Sequence, residues 1–136
     1  MPMVVDASVT MAWVFEDEAT GATEAVLDRL VDDRAVVPGV WPYEVANVLV
    51  AAERRRRVTE AQSRRFVELL RRLPIEIDAS PPDLEALTVT GRRHDLSAYD
   101  AAYLVIAEHL GAPLATLDSG LARACREAGV PLLVGS

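Results

Sequence analysis

The sequence predicts an α/β fold in three layers, with a mainly parallel sheet of about five strands flanked by helices. Short apolar, β-branched runs alternate with helical patterns along the whole chain, which is the arrangement of βαβ units around a parallel sheet. The strand-like runs are nearly continuous in hydrophobicity, as expected of strands covered on both faces. A length of 136 residues with 51% hydrophobic content fits a single domain, residues 1–136, with a core of its own.

The elements follow in order. "MVV" at 3–5 reads as the first strand. A helix is expected over about 20–33, and "AVV" at 35–37 is the second strand. The helix over about 43–57 places Val45, Val48, Leu49 and Ala52 at i, i+3, i+4 and i+7, an apolar stripe. Thr59 and Gln62 form a capping box that opens a helix over about 60–73, with Phe66, Leu69, Leu70 and Leu73 on its stripe. "IEI" at 75–77 is a weaker third strand, and Ser80-Pro81-Pro82-Asp83 opens a helix to about 93. Ser97 and Asp100 open the next helix, which runs to about 110 and is ended by Gly111. "LATL" at 114–117 is the fourth strand, a helix follows over about 119–128 with Gly129 at its end, and "LLV" at 132–134 is the fifth strand.

Bulk properties narrow the function. There is one cysteine, Cys125, so neither an internal disulfide nor a thiolate metal cluster is expected, and a small buried helix residue is the natural reading. No signal peptide and no apolar run near the ~20 residues of a membrane span is seen, so the expected setting is soluble, reducing and cytoplasmic. A formal net charge of −7 disfavours non-specific binding to nucleic acid and suits a basic partner or bound cations. All 14 basic residues are arginine.

Four acids fall on one predicted rim. Asp6 follows the first strand and Asp118 the fourth; Glu44 and Asp100 lie in the first turns of two helices. Strand carboxyl ends and helix starts share one edge of a wound parallel sheet, where such folds place ligand sites. Taken singly, each acid has a plain alternative as an N-cap, a first-turn acid or a member of the Ser97 capping box. Taken together, clustered carboxylates repel and call for a cation. A hard oxygen set points to Mg²⁺ or Mn²⁺ rather than Zn²⁺, and such a site suits metal-assisted hydrolysis of a phosphodiester. Ser8, Asn47 and Thr116 stand close in sequence to these acids, as candidates to orient a carboxylate or a bound water.

"VVDASV", "YEVANVL", "LSAYDAAYLVIA" and "LATLDSGL" resemble, in order and spacing, the four acidic motifs of PIN-domain nucleases, and most closely those of VapC toxins of toxin–antitoxin pairs. The resemblance implies a PIN-like fold and a Mg²⁺- or Mn²⁺-dependent endoribonuclease. Asp6 and Asp100 would hold metal most directly, with Glu44 and Asp118 completing the shell, through a second metal or through water. It also implies a homodimer and a cognate VapB-like antitoxin.

Several features stand outside the rim. Arg54 to Arg57, Arg64, Arg65, Arg71 and Arg72 form either a solvated helix pair or a local basic surface for RNA, with Arg54, Arg57 and Arg64 as candidate contacts and Arg92 and Arg93 as further ones. His94 and His109 are assigned no catalytic role. Trp13, Trp41 and Tyr43 are expected to pack, and the apolar segment with Met11, Trp13, Val14 and Phe15 is a weak candidate interface. A phospho-acceptor receiver or an aspartyl phosphatase would use a lysine on this rim, and the chain has none; a P-loop lacks its glycine–lysine element too. A PIN-type nuclease acting on another nucleic acid outside a toxin pair, and a catalytically silent antitoxin-binding or dimerisation module, are the remaining alternatives.

Overall fold

A computed structural model describes residues 1–15 and 17–134; Glu16, Gly135 and Ser136 of the expected domain lie outside the described residues. Five strands form one sheet in the order β3-β2-β1-β4-β5: β1 (Met3–Val5), β2 (Ala35–Val37), β3 (Ile75–Ile77), β4 (Leu114–Ala115) and β5 (Leu132–Val134). Every pairing is parallel, with Val4 opposite Val36 on one side and Leu114 on the other. Seven helices occupy the described residues: α1 (Ala7–Ala12), α2 (Gly21–Arg29), α3 (Trp41–Arg54), α4 (Glu60–Arg72), α5 (Leu84–His94), α6 (Ala98–Leu110) and α7 (Ser119–Ala128). None is long and apolar enough to cross a membrane.

The pleat of β1 sorts the core into two layers. Val4 points to the face shared with Val36 and Leu114, covered by Trp41, Val45 and Leu49 of α3, Phe66 and Leu70 of α4, Leu104 of α6 and Leu121 of α7. Met3 and Val5 point to the opposite face, with Ala35, Ala115 and Val134, under Val26 of α2 and Leu30. Successive side chains of a strand project to opposite faces, so a central strand covered on both sides must be apolar throughout. Cys125 is fully buried in α7, and burial pushes its thiol up to about 11, which leaves it unreactive at neutral pH.

The structure departs from the sequence-based expectations in several places. The six-residue α1 was not expected; Met11 and Phe15, read as a possible interface, are buried in the core, and Trp13 and Val14 pack against it. The Trp13 indole N–H donates to the Thr23 carbonyl at 2.9 Å. Trp41 is buried as expected, but Tyr43 is 73% exposed and does not pack. On α3 and α4 the buried stripes are narrower than their sequence patterns, since Val48 and Leu69 are exposed. The helix expected over 20–33 stops at Arg29, and the one expected over 43–57 spans Trp41–Arg54. The fourth strand ends at Ala115 instead of residue 117, for a reason given by the site below.

The turn between α5 and α6 sets where α6 begins. Asp95 takes a left-handed conformation (φ +53°), which aspartate tolerates better than most residues. The Leu96 amide donates back to the Gly91 carbonyl at 2.9 Å. This closure brings the Leu96 carbonyl oxygen to 3.0 Å from where a Cβ on Gly91 would sit. Alanine is intrinsically the better helix former, yet here its methyl meets backbone that cannot swing aside. Gly91→Ala is expected to destabilise the protein by about 1–3 kcal/mol, the usual range for overpacking, as read by urea unfolding; a gain in stability would show that the turn has slack.

Candidate active site

The chain leaves β1 to one side, towards β2, and later returns past it to reach β4. The crevice between β1 and β4 is therefore the topological switch point of the sheet. Asp6 stands at its mouth. Its backbone N–H donates to the Ala115 carbonyl of β4 at 3.1 Å, and its side chain caps α1 by accepting from the Val9 amide at 3.1 Å.

Asp6 is 5% exposed, so its carboxylate oxygens need partners from the protein. Oδ1 accepts from Ser8 Oγ at 2.6 Å as well as from Val9, and Oδ2 accepts from Thr116 Oγ1. The donors are themselves anchored. Ser8 Oγ accepts from the Leu117 amide at 2.9 Å, and Thr116 Oγ1 from the Asp118 amide at 3.0 Å. These two amides would otherwise extend the β4 ladder; they serve the hydroxyls that hold Asp6, and the strand stops at Ala115. From below, the Trp41 indole donates to Thr10 Oγ1 at 3.1 Å, and that hydroxyl donates to the Asp6 carbonyl at 2.9 Å.

The other three acids are arranged around Asp100. Ser97 Oγ accepts from the Asp100 amide at 3.2 Å, so the serine caps α6. The return bond of a full capping box, from the acid to the Ser97 amide, is not made, and the carboxylate is left for other duty. Glu44, in the first turn of α3, accepts from Tyr103 Oη at 2.6 Å. Asp118 caps α7 by accepting from the Leu121 amide at 2.8 Å. The plain capping reading is thus true of Asp6 and Asp118 in addition to their place on the rim.

Electrostatics ties the four together. Burial, opposed by its hydroxyl and amide donors and aided by the charge of Asp100, pushes the Asp6 carboxyl up to about 6. Glu44 is raised first by burial and then by Asp100, against the Tyr103 hydrogen bond. Asp100 is raised by burial and by Asp118, against Ser97. Three raised acids, two of them repelled by the third, are an unfavourable arrangement that a cation relieves. No three His, Cys, Asp or Glu side chains among the described residues stand close enough to cage an ion unaided. The all-oxygen donor set nevertheless fits Mg²⁺ or Mn²⁺, since Mg²⁺ keeps several waters and takes only one or two carboxylates.

Of the remaining expected residues, Ser8 and Thr116 both bond Asp6, whereas Asn47 is exposed and makes no side-chain hydrogen bond to Glu44. Arg54 lies ten residues beyond Glu44 on α3, ~15 Å along the axis at 1.5 Å per residue. Arg57 is past that same distant end, where its Nη2 donates to both carboxylate oxygens of Asp17 at 2.8 and 3.0 Å and its guanidinium lies over the Phe15 ring. Arg64 pairs with Glu60 at 2.7 Å. Arg54 and Arg57 thus stand at or beyond the end of α3 opposite Glu44. Arg92 is exposed, and Arg93 lines a small polar cavity with His94, Glu108 and Glu127. The sequence reading overlooked Tyr103; the available signal was a tyrosine three positions after Asp100, on the same helical face.

The raised Asp6 has a consequence for stability. A carboxyl whose folded value exceeds its ordinary 3.8 stabilises the fold fully below that value and loses the contribution as pH rises through about 6. In EDTA, the stability of Asp6→Asn relative to the wild type should therefore improve as pH rises through this window, by up to roughly 3 kcal/mol for a shift of two units. Urea unfolding of both proteins across the range reads this directly; a pH-independent difference would contradict it.

The PIN domain family profile matches residues 3–127 of this chain. Ribonuclease VapC3 from Pyrobaculum aerophilum is 29% identical over 124 residues, covering 90% of this chain and 93% of that protein. Among solved structures, PAE2754 from Pyrobaculum aerophilum superposes with a TM-score of 0.74 at 24% identity, over 98% of this chain and 90% of that one. VapBC2 from Rickettsia felis, solved bound to a DNA fragment from its promoter, gives a TM-score of 0.65 at 10% identity over 97% of each chain; both likenesses concern the fold. With the family match spanning nearly all of β1 to α7 and the four acids on one sheet edge, the chain belongs to the PIN domain family.

Proposed function

We propose that this chain is a divalent-metal-dependent endoribonuclease and the toxin of a toxin–antitoxin pair, held in check by a VapB-like antitoxin. The observation that carries the reading is the carboxylate rim, in which Asp6, Glu44 and Asp100 are all raised and Asp100 is the common neighbour. Its kinship to a named ribonuclease, 29% identical over nearly the full length of both chains, supports RNA as the substrate. The antitoxin partner is supported by likeness to VapBC2 and to a toxin–antitoxin complex from Klebsiella pneumoniae. Homodimerisation and action in the cytoplasm are part of the same proposal.

In this reading Asp6 and Asp100 hold Mg²⁺ or Mn²⁺ most directly, and Glu44 and Asp118 complete the shell. The ion, when bound, supplies Lewis-acid polarisation of the phosphate and a lowered pKa for water. The protein's own work is positional. Ser8, Thr116 and the Val9 amide fix both Asp6 oxygens in place. α6, buried along Ala101, Leu104, Ile106 and Ala107, holds Asp100 rigidly over β1. Glu44 and Asp118, each held by a single donor to one oxygen, keep an oxygen to orient water opposite the scissile phosphorus.

Asp100→Asn separates this proposal from a purely structural role for the acid. Cleavage of a mixed RNA substrate in Mn²⁺ should fall by ~100-fold or more, the upper end of what even indirect changes at metal sites cost. The melting temperature without metal should stay equal or rise, because repulsion on the rim is relieved. Cleavage that survives EDTA or the substitution would sink the mechanism.

A further inference from the structure

We infer that Tyr103 is a positioning residue of the acidic site: its hydroxyl holds the Glu44 carboxylate against α6, so that one helix carries Asp100 and also sets the placement of a second acid. The inference rests on the reading of Glu44 as a member of the metal- and water-holding set.

The bond is 2.6 Å long and joins residues 59 positions apart, on α6 and α3. Tyr103 is 1% exposed, and its ring belongs to the core between sheet and helices. For packing alone a phenylalanine would suffice, since a buried hydroxyl is a cost unless bonded. The hydroxyl's one hydrogen bond among the described side chains goes to a rim carboxylate. Tyr103 follows Asp100 by three positions, which puts both on one face of α6. Glu44 lies in the first turn of a helix whose N-cap makes no side-chain bond, and Tyr103 is the only side chain among the described residues that donates to Glu44. Without that donor a half-buried glutamate has several rotamers open to it; with it, one carboxylate oxygen is taken and the other is aimed. The partner is a carboxylate oxygen, which accepts, so the phenol hydroxyl is the donor of this bond.

The test is a double-mutant cycle read by Mn²⁺ affinity in calorimetry, with RNA cleavage kinetics and thermal melting alongside. Tyr103→Phe keeps the ring and removes one oxygen. Expected are a 10–100-fold loss in Mn²⁺ affinity or kcat, as for other groups that orient metal-binding carboxylates, an unchanged KM for RNA, and a melting temperature close to wild type. In a Glu44→Ala background, the same substitution should change Mn²⁺ affinity no further. Wild-type affinity and kcat in Tyr103→Phe, while Glu44→Ala loses both, would overturn this inference and leave the proposed function standing. Equal further loss in both backgrounds would overturn it too, by showing that the hydroxyl acts through the fold. Should Tyr103→Phe melt early, the cycle still decides, because both backgrounds share that loss. Wild-type affinity and cleavage in Glu44→Ala would remove the role of Glu44 itself, and this inference with it.

Discussion

The interior end of β1 must hold a carboxylate, and much of the local structure follows from that. Asp6 is almost wholly out of water, where an unsatisfied charge would be prohibitive. Its two oxygens collect two hydroxyls and one amide. Supplying them shapes two elements: α1 starts at once, so that the Val9 amide is free to donate, and β4 stops after two residues, with the Leu117 and Asp118 amides turned to Ser8 and Thr116. Even so, the donors do not cancel the burial, and the acid remains raised. The site is well built for position and poorly built for charge, as expected where a cation is to supply the missing part.

Asp100 plays the complementary role. It is less buried than Asp6, and only the Ser97 side chain offsets its burial and the charge of Asp118. Asp6, Glu44 and Asp100 are all raised first by burial; the charge of Asp100 adds to this at Asp6 and Glu44, and that of Asp118 at Asp100. The apolar helix behind it, and the tight turn at Gly91 and Asp95 in front of it, leave it little room to withdraw from the others. Rigid scaffolding against electrostatic repulsion is a stored bias towards binding positive charge.

The strands and the four acids were legible because each acid sits at a change of pattern, directly after an apolar run or at the head of a helical one. Ser8 and Thr116 were legible as neighbours of acids, although Thr116 serves Asp6, 110 positions away, rather than nearby Asp118 alone. What escaped has physical causes. α1 is under two turns long, too short to show a period. Val48 and Leu69 fit their helical stripes, but α3 and α4 lie towards β3 at the sheet's edge, where cover is one-sided. Tyr43 and Trp41 are two residues apart on a helix, so burial of one turns the other outward. The arginines at the end of α3 share a helix with Glu44, but the helical rise sets them at its opposite end.

The bond between Thr116 and Asp6 also bears on when this protein becomes competent during its synthesis. The first strand and the fourth lie side by side in the sheet, yet more than a hundred residues separate them in the chain. Closing so long a loop is slow, and little rewards it until both ends are present. On an emerging chain Asp6 is made 110 positions before Thr116, the hydroxyl partner just past β4, and before the Asp118 carboxylate. The acidic centre therefore closes only after Thr116 and Asp118 have been made, well behind the strand that carries Asp6.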